Sequence, residues 1–276
     1  MALPHRAEIG LMHRFFVLVP DAADLPAGAA EKAPLAAGDI VALSETDSIH
    51  AARVLRLAPG DVVVVCDGRG YEYEAELHQV SPRAVTVRIR SGRLSAAEPS
   101  VHVTLAQGIA KGDKMDFIVQ KAVEVGVSRI IPLSTQRTVV RLDEEKAGAR
   151  VERWQRIAYE AAKQSGRARV PRVEAVHAWE ELWRRRDLGT VFVPWEGETT
   201  LRLLEAAAAL AASHTPAAPA RLTIVIGPEG GFAEAEIALA QRHGAQPVTL
   251  GPRILRTETA GLVAAALVLG ALGELG

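Results

Sequence analysis

The sequence has few of the residues on which several common kinds of site depend. One cysteine, Cys66, stands among 276 residues, which excludes a disulfide scaffold and a cysteine-based zinc site and is typical of a reducing compartment. Aromatic residues make up only 4% of the chain, so its cores must consist mainly of alanine, valine, leucine and isoleucine. The eight histidines show no metal-ligand spacing, and we therefore expect no metal centre.

The signatures of common nucleotide-binding and hydrolytic enzymes are also absent. No G-x-G-x-x-G follows a strand pattern, and neither G-x-x-x-x-G-K-[ST] nor G-x-S-x-G occurs. Lys111-Gly112-Asp113-Lys114 has the residue types of a phosphate-binding loop but the wrong spacing. No motif therefore supports a dehydrogenase or a hydrolase.

Long apolar runs are missing as well. Residues 1–10 contain none, so we expect no signal peptide. The apolar stretch 260–272 is rich in alanine and glycine and has 13 residues, too few to span a bilayer, which predicts a buried helix. With 49% apolar and 24% charged residues, the composition is typical of a globular, cytoplasmic protein.

Basic residues are concentrated in the middle of a chain whose net charge is −1. Residues 111–172 contain 14 basic and 8 acidic residues, a net charge of +6. Such a cluster can bind a polyanion. A solvated helix face with internal ion pairs explains it equally well, because Glu152, Arg156 and Glu160 are spaced for pairing on a helix.

The first ninety residues predict short strands separated by turns. Candidate strands are followed or separated by Pro20, by Asp67-Gly68 and by Ser81-Pro82, and a helical insert is expected at about 47–57. This rhythm predicts a small β-barrel domain over 1–92, followed by a polar linker over 93–100. The candidate strands are 15–19, 38–43, 62–66, 71–80 and 84–89.

From residue 101 the pattern changes to strands that alternate with helices. Strands are expected at 101–107, 129–133, 191–193 and 222–226, with a helix from Asp113, its candidate cap, to Gly126. We predict an α/β domain with a parallel sheet over 101–276, in which 206–220 forms a helix end and a loose loop.

Two strand ends carry unusual loops. The strand 222–226 leads directly into Gly227-Pro228-Glu229-Gly230-Gly231-Phe232, with a helix expected from about Glu234. Because ligands of parallel α/β sheets bind outside the carboxyl ends of strands, this favours a ligand loop over an ordinary tight turn. In the second loop, residues 248–260, Arg253, Arg256 and Glu258 lie beside a core element, so they form a structural ion pair or a site; Thr257 is a candidate helix cap.

These two loops resemble those of the SPOUT methyltransferases of the RsmE type. Further motifs in the family's order cover nearly the whole chain, and together they are much more specific than any one alone. Ala233 departs from the pattern, since the family often has a helix-capping serine or threonine there. The other matching segments are His13-Arg14-Phe15-Phe16, His50-x-x-Arg53-Val54-Leu55-Arg56, Lys111–Lys114, Gln120–Gly126, Arg137 and Glu160–Arg167.

The resemblance implies a PUA-like RNA-binding domain followed by a SPOUT domain with a trefoil knot. It implies S-adenosylmethionine as cofactor, no metal, a homodimer, and N3 methylation of one uridine in 16S ribosomal RNA within the small ribosomal subunit. The alternatives are an RNA-binding assembly factor that has lost catalysis, an unrelated α/β enzyme that uses a nucleotide, and a conventional Rossmann methyltransferase. The intact segment Arg256–Ala260 and the missing glycine-rich signatures argue against these.

The resemblance also suggests roles for individual residues. Arg256 is expected to stabilise the uridine anion, and Glu258, with Glu229 as its rival, to accept the N3 proton, although either glutamate could only hold the loop. The expected cofactor-binding residues are Val193, Trp195, Glu196, Ile226, Gly227, Pro228, Gly230, Gly231, Leu250, Gly251, Ile254, Leu255, Arg256, Thr259 and Ala260. The expected RNA-binding residues are His13, Arg14, Arg53, Arg56, Lys114, Lys121, Arg137, Lys163 and Arg167.

Overall fold

The computed structural model describes residues 12–17, 35–81, 83–139, 143–213 and 220–276. The chain divides into two compact units, Met1–Glu98 with Ala162–Val170, and Pro99–Ala161 with Pro171–Gly276. The predicted strand residues 18–19 with Pro20, the turn residue Pro82 and most of the predicted loose loop, 214–219, lie outside the described residues.

The first unit contains a five-stranded sheet in the order β1-β3-β4-β5-β2. Strands β1 and β3 are parallel and the other pairs are antiparallel. The β3–β4 hairpin forms at the predicted Asp67-Gly68 turn, where the Asp67 carboxylate accepts hydrogen bonds from the N–H groups of Arg69 and Tyr71. The strands are β1 (Arg14–Phe16), β2 (Ile40–Ala42), β3 (Val62–Cys66), β4 (Tyr71–Val80) and β5 (Val85–Leu94).

The core of this unit lies against one face of the sheet and includes Phe15, Tyr73, Leu77 and Ile89. Strand β5 continues through Leu94, two residues into the segment expected to be a linker. The helical insert begins earlier than expected, because the Ser44 hydroxyl accepts a hydrogen bond from the N–H of Asp47 and caps helix α1, Glu45–Ile49. A π-helical turn, His50–Val54, follows it.

The second unit confirms the predicted α/β domain with a parallel sheet. The sheet order is β12-β10-β11-β6-β7-β8, all pairs are parallel, and β9 pairs with β7. The strands are β6 (His102–Gly108), β7 (Arg129–Ser134), β8 (Arg172–Val173), β9 (His177–Ala178), β10 (Thr190–Pro194), β11 (Arg221–Ile226) and β12 (Gln246–Val248). The helices are α2 (Lys114–Val125), α3 (Glu144–Gln164), α4 (Trp179–Leu182), α5 (Leu203–Ser213), α6 (Glu234–Arg242) and α7 (Thr257–Ala271).

The central strands β6 and β11 are buried along nearly their whole length, as expected for a parallel sheet covered on both faces. Helix α7 is the predicted buried apolar helix and packs on β6, β11 and helices α2 and α5. Asp113 occupies the N-cap position of α2, but its side chain makes no capping hydrogen bond, contrary to expectation. Within the described residues, no helix is both long and apolar enough to cross a membrane.

Candidate active site

The carboxyl ends of β10, β11 and β12 lie at one edge of the sheet, since these strands are parallel neighbours. The loops that follow them line two cavities of about 470 and 660 Å³. Both cavities are bordered by Pro194, Glu196, Ile254, Leu255 and Ala260, so they form one continuous cleft. This edge is where a parallel α/β sheet binds its ligands.

The glycine-rich loop after β11 is packed so closely that side chains have little room. Gly231 has φ +65°, and a Cβ there would lie 3.0 Å from Glu196 Oε1. A Cβ on Gly230 would lie 3.1 Å from the Cβ of Arg137. The loop therefore presents its backbone to the cleft, as a ligand loop requires.

Helix α6 begins at the predicted place without a capping side chain at Ala233. Glu236 is buried instead, and its carboxylate accepts hydrogen bonds from the N–H of Ala233 at 2.8 Å and of Gln136 at 2.8 Å. Glu236 thus supplies half of a capping box, which moderates the departure at position 233.

A charged cluster borders the cleft beside this loop. Glu229 Oε1 accepts hydrogen bonds from the N–H of Lys111 at 3.0 Å and from Lys114 Nζ at 3.1 Å, and Lys114 Nζ lies 3.4 Å from Glu258 Oε2. Burial alone would raise the pKa of Glu229, but these donors outweigh it and the pKa is lowered. The hydrogen bond to Glu229, with Glu258 as a second partner, raises the pKa of Lys114. Lys114, expected to contact RNA, therefore belongs to the cleft.

Arg256 stands at the N-cap of helix α7, lines the smaller cavity and is exposed. Its guanidinium has no hydrogen-bond or ion-pair partner among the described residues, so it is available to an anionic ligand. Thr257 does not cap the helix as predicted. It is the first helical residue, and its hydroxyl donates to the carbonyl of Gly227 at 2.6 Å.

The structure brings thirteen of the fifteen predicted cofactor residues to the cleft wall. The exceptions are Val193, buried inside β10, and Thr259, exposed on α7 away from the lining. The thirteen are Trp195, Glu196, Ile226, Gly227, Pro228, Gly230, Gly231, Leu250, Gly251, Ile254, Leu255, Arg256 and Ala260.

The cleft wall also includes residues after β10 that were not predicted, among them Glu198 and Arg202. Hydrogen bonds from the Thr200 hydroxyl and from the N–H groups of Thr200 and Leu201 lower the pKa of Glu198 to about 2. Glu198 therefore orders this loop as a carboxylate. The signal that could have found it is an acidic residue two positions before a threonine, directly after an apolar strand.

Two predicted RNA-binding residues are instead held in largely buried ion pairs of the first unit. Arg167 is 3% exposed and its guanidinium lies 2.8 Å from the Glu98 carboxylate, which also accepts from the N–H of Ala168. Lys163 pairs with the buried Asp47 at 2.5 Å. Their charges satisfy internal carboxylates, so we correct the expectation that they present their charges to phosphates.

The other predicted RNA-binding residues differ in exposure. Arg14 is largely buried and donates to Glu72 at 3.1 Å and to the Cys66 sulfur at 3.0 Å. In the second unit, Lys121 pairs with a glutamate of its own helix, and Arg137 donates to the carbonyl of Gly230 at 2.9 Å. The residues of this set that are exposed in the first unit are His13, Arg53 and Arg56. No group of three or more potential metal ligands occurs among the residues with a described position.

Comparison with known proteins defines the class of protein to which this fold and cleft belong. Residues 97–269 match the model of an RNA methyltransferase domain, and residues 43–90 match that of an RNA methyltransferase PUA domain. The chain is therefore an RNA methyltransferase by fold, and its parallel-sheet domain is of the SPOUT type.

Relatives identify the family. The chain is 39% identical to a Bacillus subtilis ribosomal RNA small subunit methyltransferase E over 78% of this chain and 84% of the relative. A Mycobacterium bovis protein of the same name is 32% identical over 86% and 87%. The crystal structure of that enzyme from Neisseria gonorrhoeae, bound to S-adenosyl methionine, has a TM-score of 0.74 and 31% identity, covering 94% and 97%. The chain belongs to the ribosomal RNA small subunit methyltransferase E family.

Proposed function

We propose that this chain transfers the methyl group of S-adenosylmethionine to N3 of a uridine in 16S ribosomal RNA. The observation that carries the proposal is the cleft at the ends of β10, β11 and β12, where Arg256, without a partner among the described residues, lines the same cavity as Lys114 and Glu229. Membership of a methyltransferase family favours this over a non-catalytic assembly factor.

The residues of the cleft fit the cofactor. Its two connected cavities are large enough for a nucleoside joined to an amino acid, and the glycine-rich loop offers backbone rather than side chains. The residues that would hold the cofactor are the cleft-lining members of the predicted set other than Arg256, which faces the substrate in this proposal. When bound, the cofactor supplies an electrophilic methyl group, and the reaction calls on no metal.

The protein has to make the nucleophile available. Uridine N3 carries a proton whose pKa lies roughly two units above neutral, so its removal costs about 2.7 kcal/mol at neutral pH. The Arg256 guanidinium, placed near O2 or O4 of the uracil, would stabilise the resulting anion. Its lack of a partner within the described part of the chain supports this role.

The two candidate bases differ in their surroundings. Glu229 accepts two hydrogen bonds and its lowered pKa makes it a poor proton acceptor. Glu258 is two residues after Arg256 in the chain, and its carboxylate lies 3.4 Å from the Lys114 ammonium group. We therefore propose Glu258 as the proton acceptor and Glu229 as a residue that holds the loop.

RNA binding is proposed for the exposed basic residues of the predicted set. His13, Arg53 and Arg56 are exposed in the first unit, and Arg137 in the second. Arg56 is the one described residue other than glycine with a positive φ, +55°, a conformation that is kept mostly at functional positions. Contacts of this kind go to phosphates, so affinity should fall steeply with salt.

The remaining family properties are part of the same proposal: a trefoil knot, a homodimer, and action in the cytoplasm on the small ribosomal subunit. The knot is supported by the chain path, since β12 lies on the far side of β10 from β11 and the chain then returns to pack α7 on β6.

Calorimetric titration with S-adenosylmethionine tests the cofactor site. We expect the wild-type protein to bind and Gly230→Val to lose binding while keeping its circular dichroism spectrum, because the added side chain meets Arg137. Mass spectrometry of small-subunit RNA treated with enzyme and cofactor should then detect N3-methyluridine. Absence of binding by the wild-type protein would instead favour the RNA-binding assembly factor.

A further inference from the structure

Two buried side chains connect the central strand β6 to both cleft loops. Gln107, near the end of β6, is fully buried. Its Nε2 donates to the carbonyl of Gly108 at 3.0 Å and to the Thr257 hydroxyl at 2.9 Å. Thr257 is also buried and donates to the carbonyl of Gly227 at 2.6 Å. We call this series of hydrogen bonds the Gln107–Thr257 relay.

The relay has a single direction. The carbonyl of Gly108 can only accept a hydrogen bond, so the nitrogen rather than the oxygen of the Gln107 amide must face it. The same nitrogen then faces Thr257, whose hydroxyl must accept from it. The single hydroxyl proton of Thr257 is therefore directed to the carbonyl of Gly227.

The carbonyl oxygen of Gly227 is the only hydrogen-bonding group of the peptide that joins Gly227 to Pro228. Residue 228 is proline, so the peptide between Gly227 and Pro228 has no N–H and can be oriented by hydrogen bonding only through its oxygen. Gly108 allows the end of β6 to lie against this peptide, because a Cβ there would come within 2.5 Å of the Pro228 nitrogen. The relay therefore sets the entry of the glycine-rich loop into the cleft.

The relay is not what stability alone would favour. Gln107 Oε1 is buried without a hydrogen-bond partner in the described part of the chain, and buried unpaired acceptors are destabilising. Its neighbour Gly261 leaves room for it, since a Cβ there would lie 3.1 Å from this oxygen. An apolar side chain among Leu105 and Ile226 would avoid the unpaired oxygen.

We propose that Gln107 and Thr257 are positioning residues that hold the glycine-rich loop in its cofactor-binding conformation by fixing the carbonyl of Gly227. The inference rests on the proposed cofactor site in the cleft. Gly227 and Thr257 both line the smaller cavity, so a rotation of the peptide after Gly227 would change the cavity wall directly.

Thr257→Val, with Thr257→Ser as the conservative variant, tests the relay. We expect Thr257→Val to raise the dissociation constant for S-adenosylmethionine about tenfold and to raise KM for the cofactor more than it lowers kcat, whereas Thr257→Ser stays within about twofold of wild type. If Thr257→Val does not fold, Gln107→Met carries the same expectation. The double variant should lose no more affinity than either single change, because both break one relay.

Thr223→Val is the matched control. Thr223 is a fully buried threonine of β11 whose hydroxyl donates to the carbonyl of Leu188 at 2.7 Å, away from the cleft. It should lower the thermal midpoint as Thr257→Val does and leave cofactor affinity unchanged. If both variants lowered the thermal midpoint equally and neither changed the affinity for the cofactor, the proposed positioning role of the relay would be wrong. Wild-type binding that survives Gly230→Val would overturn the cleft site itself, which is a different result.

Discussion

Two basic residues of the first unit and two of the second are placed in contrasting surroundings. In the first unit, the buried Arg167 pairs with Glu98 and the partly buried Lys163 pairs with the buried Asp47, so both charges are neutralised within the fold. At the cleft of the second unit, the Lys114 side chain contacts two glutamates yet remains about one third exposed to solvent. Arg256 is exposed and has no partner among the residues described. Burial and the nearest carboxylate, rather than residue type, decide whether a charge stabilises the fold or serves a ligand.

The largest effect on stability should come from Arg167→Ala. The change leaves the nearly buried Glu98 carboxylate without its guanidinium, which typically costs about 3–5 kcal/mol. Urea denaturation should show this loss in the free energy of unfolding. Arg83→Ala removes an exposed arginine of the same unit and should change it by less than about 0.5 kcal/mol. Similar values for both variants would remove the contrast between the two units.

Arg256→Ala should reduce activity without reducing stability, the reverse of Arg167→Ala. We expect kcat on small ribosomal subunits to fall about 100-fold, equivalent to about 2.7 kcal/mol, because the uridine anion loses its cationic neighbour. The thermal midpoint and the affinity for S-adenosylmethionine should remain close to wild type. Arg256→Lys keeps the charge and should lose less. A loss of tenfold or less in Arg256→Ala would rule out the proposed role.

The buried thiol of the first unit gives a smaller, pH-dependent effect. Burial, opposed by Arg14, raises the pKa of Cys66 from 9.0 to about 12. The unfolded chain releases the Cys66 proton near pH 9, whereas the folded chain keeps it. The thiol's contribution to the free energy of unfolding is therefore complete below pH 9 and is lost as the pH rises towards 12. At pH 10 the loss is about 1.4 kcal/mol. Urea midpoints at pH 8 and pH 10 should differ less in Cys66→Ala than in wild type.

The smallest effect is expected from Ala233→Ser. A serine at the N-cap of α6 adds a hydroxyl acceptor at the start of the helix and should stabilise the second unit by about 0.5–1 kcal/mol. Activity should not change, because Glu236 already accepts from the N–H of residue 233. Thermal denaturation tests this prediction, which requires a rise in the midpoint. An unchanged midpoint would show that Glu236 alone satisfies this helix end.

Much of the second unit was predictable because its signals are local. The apolar run of β11 and the glycine-rich loop after Ile226 are visible in short windows of sequence. The family resemblance supplied the individual cofactor residues, thirteen of which reach the cleft. What could not be predicted depends on distant partners. The hydroxyl of Thr257 is directed to Gly227, thirty residues earlier, rather than to its own helix.

The same limit explains the predictions about RNA contacts. A basic residue at a motif position looks alike in sequence whether it is exposed or buried, and Arg167 meets Glu98 only through a separation of 69 residues. The departure at Ala233 had a similar outcome. Glu236, three residues after Ala233, accepts from its N–H as in a capping box. The second donor to Glu236 is the N–H of Gln136, 100 residues away in the chain.

The first unit is discontinuous along the chain, with consequences for its synthesis. Its strands are complete by residue 94, yet Ala162–Val170, which brings Lys163 and Arg167, is made only after Pro99–Ala161 of the second unit. Until then Asp47 and Glu98 lack their cations, so the amino-terminal segment cannot reach its final stability while it is the only part outside the ribosome. The first unit can therefore complete its ion pairs only after part of the second unit has been synthesised.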